Sequence, residues 1–173
     1  QDFLIGVTRF FRDPKAFASL TEHVIEPLLA RDQNRFRIWV PGCSTGEEAY
    51  SIGILFSEAL RQADDGRELQ IFGTDIDLNS LRPARSAMYS DAALESVPED
   101  LIKRYFIAHK GHYQVASRLR ERVRSVTWGR ALRALGFDSG GSVERGGADR
   151  ARRRVLRHRD RHRGGARQLL LGA

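Results

Sequence analysis

The run Arg37-Ile38-Trp39-Val40, followed by Pro41-Gly42-Cys43-Ser44-Thr45-Gly46-Glu47-Glu48, constrains the fold more than any other part of the chain. An apolar strand enters a turn of small residues. The turn opens directly into a helix that carries Ile52, Leu55, Phe56, Ala59 and Leu60 at helical spacing. A second strand, Leu69-Gln70-Ile71-Phe72-Gly73-Thr74, ends in Asp75-Ile76-Asp77. Strand, glycine turn, helix, strand and acidic end make a Rossmann-like half-domain. Residues 36–89 are therefore expected to form a β-α-β-α unit, with strands 37–40 and 70–74 parallel.

In such a unit the turn lets the backbone approach a ligand closely, and the acid takes ribose hydroxyls. Gly42 and Gly46 do not form a phosphate loop, because no Lys-Ser/Thr follows the second glycine. An adenosine ligand without a pyrophosphate suits this turn better, and S-adenosylmethionine is the common one. A tight strand-to-helix turn with no ligand is the plain alternative. Ser44 with Glu47 and Thr45 with Glu48 are two overlapping capping boxes. One glutamate is enough for a cap, so the other is left for a cationic group: Glu47 is assigned to the cap and Glu48 to the ligand. Likewise Asp77 is expected to cap the next helix, leaving Asp75 for the ribose. Arg12 follows two phenylalanines at the entrance to the domain, and reads equally as a ligand contact or as a solvated arginine.

Around this unit the pattern is that of a small mixed domain. Asp13 and Pro14 are a helix start. Phe17, Leu20, Val24 and Leu28 continue one helical face, which Pro27 is expected to end or kink. A helix carried by Leu78, Leu81, Ala84, Arg85 and Met88 follows Asp77. Residues 98–106 read as a short helix, and His112-Tyr113-Gln114-Val115 as a strand after a Lys110-Gly111 turn.

Charge divides the chain. Residues 122–173 hold 14 arginines, no lysine and 4 acids, whereas residues 1–121 hold 15 basic and 18 acidic residues. The later segment is broken by Gly140-Gly141 and Gly146-Gly147 and has too few apolar residues to offset chain entropy. One cysteine excludes a disulfide framework and fits a reducing cytoplasm. His23, His109, His112, His158 and His162 are scattered, so no metal site is expected. No run of 18 apolar residues offers a membrane span. The start at Gln1 reads as that of a fragment. A basic arm for nucleic acid is a rival use of the arginines, but only Trp128 and Phe137 are available there to stack on bases, and no nucleic-acid partner is expected.

With these residues placed, the chain resembles the chemotaxis receptor glutamate O-methyltransferases, the CheR family. The matching stretches are Thr8-Arg9-Phe10-Phe11-Arg12-Asp13, the turn from Gly42 through Ile52, Gly73-Thr74-Asp75-Ile76-Asp77, Arg85-Ser86-Ala87-Met88-Tyr89 and Leu101-Ile102-Lys103-Arg104-Tyr105-Phe106. They span about residues 3–121, and the form of residues 5–14 looks most like the branch fused to a methylesterase. The resemblance implies a Rossmann-like methyltransferase fold of which this chain holds the amino-terminal half. It also implies S-adenosylmethionine as cofactor, a methyl-accepting receptor as protein substrate, and Thr8, Arg12, Gly42, Glu48 and Asp75 at the cofactor, Arg12 also serving catalysis. Gly6 stands where the family often has asparagine. Beyond residue 121 the family's next strand and its Asn-Leu-Leu and Cys-Arg-Asn segments are not recognisable. Arginine without lysine, mixed with glycine and alanine, is what a GC-rich gene gives out of frame, so residues 122–173 read as a non-native or disordered segment. A non-catalytic receptor-docking adaptor is a further alternative.

Overall fold

The computed structural model describes residues 8–135 and 170–172. Helix α1 (Pro14–Leu20) starts as expected: Asp13 is its N-cap, its carboxylate accepting from the Ala16 amide at 3.2 Å, and Pro14 opens it. Pro27 neither ends the helix nor stands alone in it. A π-helical turn over Thr21–Ile25 leads into α2 (Glu26–Leu29), which holds the proline in its first turn, where no amide is needed. The widened turn shifts the buried face, so that Ile25 is fully enclosed while Phe17, Leu20 and Val24 are half-buried.

Strand β1 (Arg35–Pro41), helix α3 (Glu47–Gln62) and strand β2 (Glu68–Thr74) form the expected unit, with β1 and β2 parallel and Ile38 opposite Ile71. Both strands are buried along most of their length, as parallel strands covered on two faces must be. Side chains alternate between the faces. Ile38, Val40 and Ile71 pack into the large core with Tyr50, Ile54 and Phe56 of α3, whereas Trp39 and Phe72 face the other way. Gly53 admits close packing on the α3 side: a Cβ there would meet Val123 at 2.9 Å and Leu119 at 3.1 Å.

After β2, helix α4 (Leu81–Ser86) is shorter than its apolar spacing suggests. Leu78 is exposed, and Met88 already belongs to β3 (Met88–Tyr89). Helix α5 (Glu99–Tyr105) gives way to β4 (Phe106–His109), which turns through Lys110-Gly111, with Gly111 at φ +74°, into β5 (His112–Val115). These three short strands make a second, antiparallel sheet in the order β3-β5-β4. Its strand β4 begins at Phe106, the last residue of the helix read over 98–106, and runs through three residues given no element in the sequence reading. The outward Ile107 hides the strand alternation there.

The main sheet continues past residue 121. Helix α6 (Ser117–Arg122) leads to β6 (Val123–Ser125), which pairs parallel with β2, and to α7 (Trp128–Ala134). The sequence reading lacks this third strand, because three residues with one large apolar side chain carry no period. Its neighbours place it instead: Val123 joins the core beneath α3, and Ala131 of α7 packs on Trp39 and Phe72. Strand β7 (Leu170–Gly172) pairs antiparallel with β1, giving the order β6-β2-β1-β7. Of residues 122–173, read as a non-native or disordered segment, 122–135 and 170–172 are described, as the end of α6, β6, α7 and β7; the rest falls outside the described residues. Among the described residues no helix is long and apolar enough to cross a membrane.

One polar cluster ties α3 to α5. The Glu58 carboxylate accepts from Arg61, Arg104 and the Tyr105 hydroxyl. Burial would raise its pKa, but these hydrogen bonds and the Arg104 charge outweigh burial and hold it near 2, well below the ordinary glutamate range. A depressed carboxylate stabilises the fold above its unfolded pKa and loses that contribution as pH falls through the folded value. Urea unfolding of Glu58→Gln is therefore expected to show a clear loss at pH 6 and a smaller one at pH 3. The same loss at both values would contradict this linkage.

Candidate functional site

The chain turns at the carboxyl ends of β1 and β2, the edge where open parallel sheets hold their ligands. Backbone bonds fix the turn: the Cys43 amide donates to the Thr74 carbonyl at 3.0 Å, and the Gly46 amide to the Cys43 carbonyl at 2.8 Å. Ser44 sits at φ +48° and donates its amide to Asp75 Oδ2 at 2.8 Å. Asp75 Oδ1 accepts from the Asp77 amide at 2.9 Å. The acid expected at a ribose is thus also the clasp that joins the two strand ends.

The capping boxes do not form. Gly46, at φ +100°, is the N-cap of α3 and has no side chain to offer. The Thr45 hydroxyl instead donates to Glu47 Oε2 at 2.6 Å. Glu47, assigned to the cap, is a buried carboxylate whose pKa burial raises, partly offset by the Thr45 bond. Glu48 is half-buried beside it. Asp77 makes a local turn, accepting from the Asn79 amide and the Ser80 hydroxyl, but the α4 N-cap is Ser80 and carries no side-chain capping bond.

Cys43 registers how these acids converge. Burial pushes its thiol up to about 12, and the charges of Asp75, Glu48 and Glu47 add to the effect. No Lys, Arg or His lies within ion-pairing distance of Glu47 or Asp75 among the described residues. The turn thus gathers three acidic side chains around Cys43. Gly42 is exposed at φ +69°, and a Cβ there would meet nothing within 4 Å. At the end of β6, beside Gly73, Ser125 Oγ is buried without a partner. A ligand with cationic groups and ribose hydroxyls fits this donor and acceptor set, and S-adenosylmethionine has both.

Thr8 and Arg12 lie on the segment leading to α1. The Phe11 amide donates to Ser51 Oγ at 3.1 Å, and Ser51 Oγ donates to the Glu47 carbonyl at 2.7 Å, which pins this segment to the first turns of α3. Phe10 is fully buried, while Arg12 is exposed and Thr8 half-buried. Gly42, Glu48 and Asp75 are thus brought to one turn. No hydrogen bond or ion pair among the described residues joins Thr8 or Arg12 to it. Ser51 and Tyr89 were missed by the sequence reading. Tyr89 belongs to a matching stretch, yet nothing in its spacing marks its role. A cavity of about 460 Å³ lined by Arg67, Arg118 and Arg122 lies at the opposite, amino end of β2.

Comparison with known proteins identifies the family. Residues 6–127 match the family model described as CheR methyltransferase, SAM binding domain. The chain is 35% identical over 125 residues to a 104.1 kDa protein in the hypE 3′ region of Rhodobacter capsulatus, covering 71% of this chain and 13% of that protein. It is 35% identical over 116 residues to a chemotaxis protein methyltransferase of Salmonella typhimurium, covering 67% of this chain and 38% of the relative. Over 137 residues it is 35% identical to chemotaxis protein methyltransferase 2 of Pseudomonas aeruginosa, covering 77% and 46%. The chain spans less than half the length of these curated relatives.

Proposed function

Because the chain belongs to the CheR methyltransferase family through its S-adenosylmethionine-binding domain, we propose that it binds S-adenosylmethionine at the 42–46 turn and serves methylation of glutamate side chains on a methyl-accepting chemotaxis receptor in the cytoplasm. The observation that carries the reading is the convergence of Glu47, Glu48 and Asp75 on a glycine turn at the ends of two parallel strands. When bound, the cofactor supplies a methyl group on a cationic sulfur.

The protein's own residues have binding and orienting tasks. Asp75 is assigned to the ribose hydroxyls, and it also holds the Ser44 amide. Glu48 complements the ammonium, and Gly42 leaves its backbone open to the ligand. Thr8 and Arg12 are assigned to the cofactor, and the Arg12 guanidinium also to orienting the acceptor carboxylate by a charge-assisted bond. A glutamate acceptor has an ordinary pKa near 4.3, so it is ionised at neutral pH and needs no general base. The gain comes from alignment of the reacting atoms. Beyond residue 127, where the family match ends, the arginine-rich composition is read as departing from the family's frame.

Calorimetric titration of the full chain with S-adenosylmethionine tests the cofactor reading. Saturable one-site binding is expected. A folded chain, checked by circular dichroism, that releases no heat and shows no binding by equilibrium dialysis would refute it. Label transfer from methyl-tritiated cofactor to receptor-enriched membranes tests the substrate, and base-labile label on the receptor is the expected product.

A further inference from the structure

We propose that Tyr89 is a positioning residue for the cofactor turn, its hydroxyl fixing the Thr45 carbonyl and with it the path from β1 into α3. The affinity arm of this inference rests on the S-adenosylmethionine reading; its geometric arm does not. Tyr89 belongs to β3 of the antiparallel sheet, opposite Tyr113 of β5. It reaches across to donate to the Thr45 carbonyl at 2.8 Å. Thr45 is thereby held twice, at its carbonyl by Tyr89 and at its hydroxyl by Glu47.

The contact is close on all sides. Tyr89 is 5% exposed, with the Phe10 ring edge-on at 4.9 Å and Tyr50 at 6.1 Å. A Cβ built on Gly46 would stand 2.9 Å from the Tyr89 hydroxyl oxygen. Only a glycine allows the hydroxyl this near, and the hydroxyl in turn blocks movement of the turn toward β3. A half-buried carbonyl that loses its donor is destabilised, so the turn has one favoured position. That position presents the Ser44 amide to Asp75 and leaves Gly42 open. The second sheet thus acts on the cofactor site without touching the ligand.

Tyr89→Phe removes the hydroxyl and keeps the ring. Tyr105→Phe is the control, because Tyr105 is also buried and its hydroxyl donates to Glu58 at 2.6 Å, away from the 42–46 turn. In the absence of cofactor, amide exchange at Ser44 and Gly46 is expected to be about tenfold faster in Tyr89→Phe than in the parent and unchanged in Tyr105→Phe. S-adenosylmethionine affinity is expected to fall about three- to tenfold in Tyr89→Phe alone. Unchanged exchange in Tyr89→Phe overturns the proposal. So does a loss of affinity that Tyr105→Phe reproduces. Faster exchange with a parent that binds no S-adenosylmethionine upholds the positioning role and refutes the cofactor reading instead.

Discussion

Alanine at position 46 is expected to destabilise the domain by about 2–5 kcal/mol, roughly 1–2 from the left-handed backbone and the remainder from overpacking. Gly46 sits at φ +100°, and the new methyl would meet Ala84 Cβ and the Tyr89 hydroxyl oxygen, each at 2.9 Å. Ala84 is part of a buried helix face and Tyr89 is wedged between aromatic rings, so neither yields without displacing others. For a domain whose total stability is typically about 5–15 kcal/mol, such a loss is large. Gly42→Ala is the informative comparison. It shares the positive φ, at +69°, but has open space around it, so only the backbone cost of about 1–2 kcal/mol applies. Urea unfolding of both variants separates the terms. Equal losses would mean that the contact with Ala84 and Tyr89 does not constrain the turn.

Asp75→Ala is expected to weaken S-adenosylmethionine binding by about 1.5–3 kcal/mol, or roughly ten- to 150-fold. Asp77→Ala should cost less than about 1 kcal/mol of binding, because its bonds go to Asn79 and Ser80 in its own turn. Asp75 has two tasks, clasping the Ser44 amide and receiving the ribose, and titration with a ribose-deoxy analogue of the cofactor distinguishes them. If the ribose task dominates, the analogue loses affinity for the parent but none further for Asp75→Ala, as a coupled pair requires. Additive losses would assign Asp75 to the clasp alone. A larger loss at Asp77 would reverse the assignment altogether.

Much of this was legible in the residues. The parallel β1-α3-β2 unit follows from two apolar runs, a small-residue turn and a helical repeat between them. The α1 start followed from Asp13 and Pro14, and the β5 strand from the Lys110-Gly111 turn. What stayed hidden depended on contacts between distant segments. Ser44-Thr45-Gly46-Glu47-Glu48 offers several helix starts, and sequence spacing cannot show that Gly46 takes the cap because Tyr89 and Ala84 leave no room for a side chain. Strand β6 is too short to show a period and exists because Ile71-Phe72-Gly73 has an open edge beside it. The π turn before Pro27 reflects how the helix adapts to a missing amide, which a proline signal alone does not specify. The site residues on β1, α3 and β2 could be grouped because they lie on one contiguous unit. Thr8 and Arg12 lie on a separate segment, which the docking of Phe10 and Phe11 holds against α3.

The position of Cys43 has a chemical consequence. It is the one cysteine of the chain, buried in the cofactor turn with its sulfur where a Cβ on Gly73 would touch it at 3.0 Å. A thiol held near 12 is almost entirely protonated at neutral pH, and only the thiolate attacks alkylating reagents. The thiol is therefore expected to alkylate slowly while the turn is closed, and the rate at which it is labelled is expected to report how often the 42–46 turn opens, with no engineered probe.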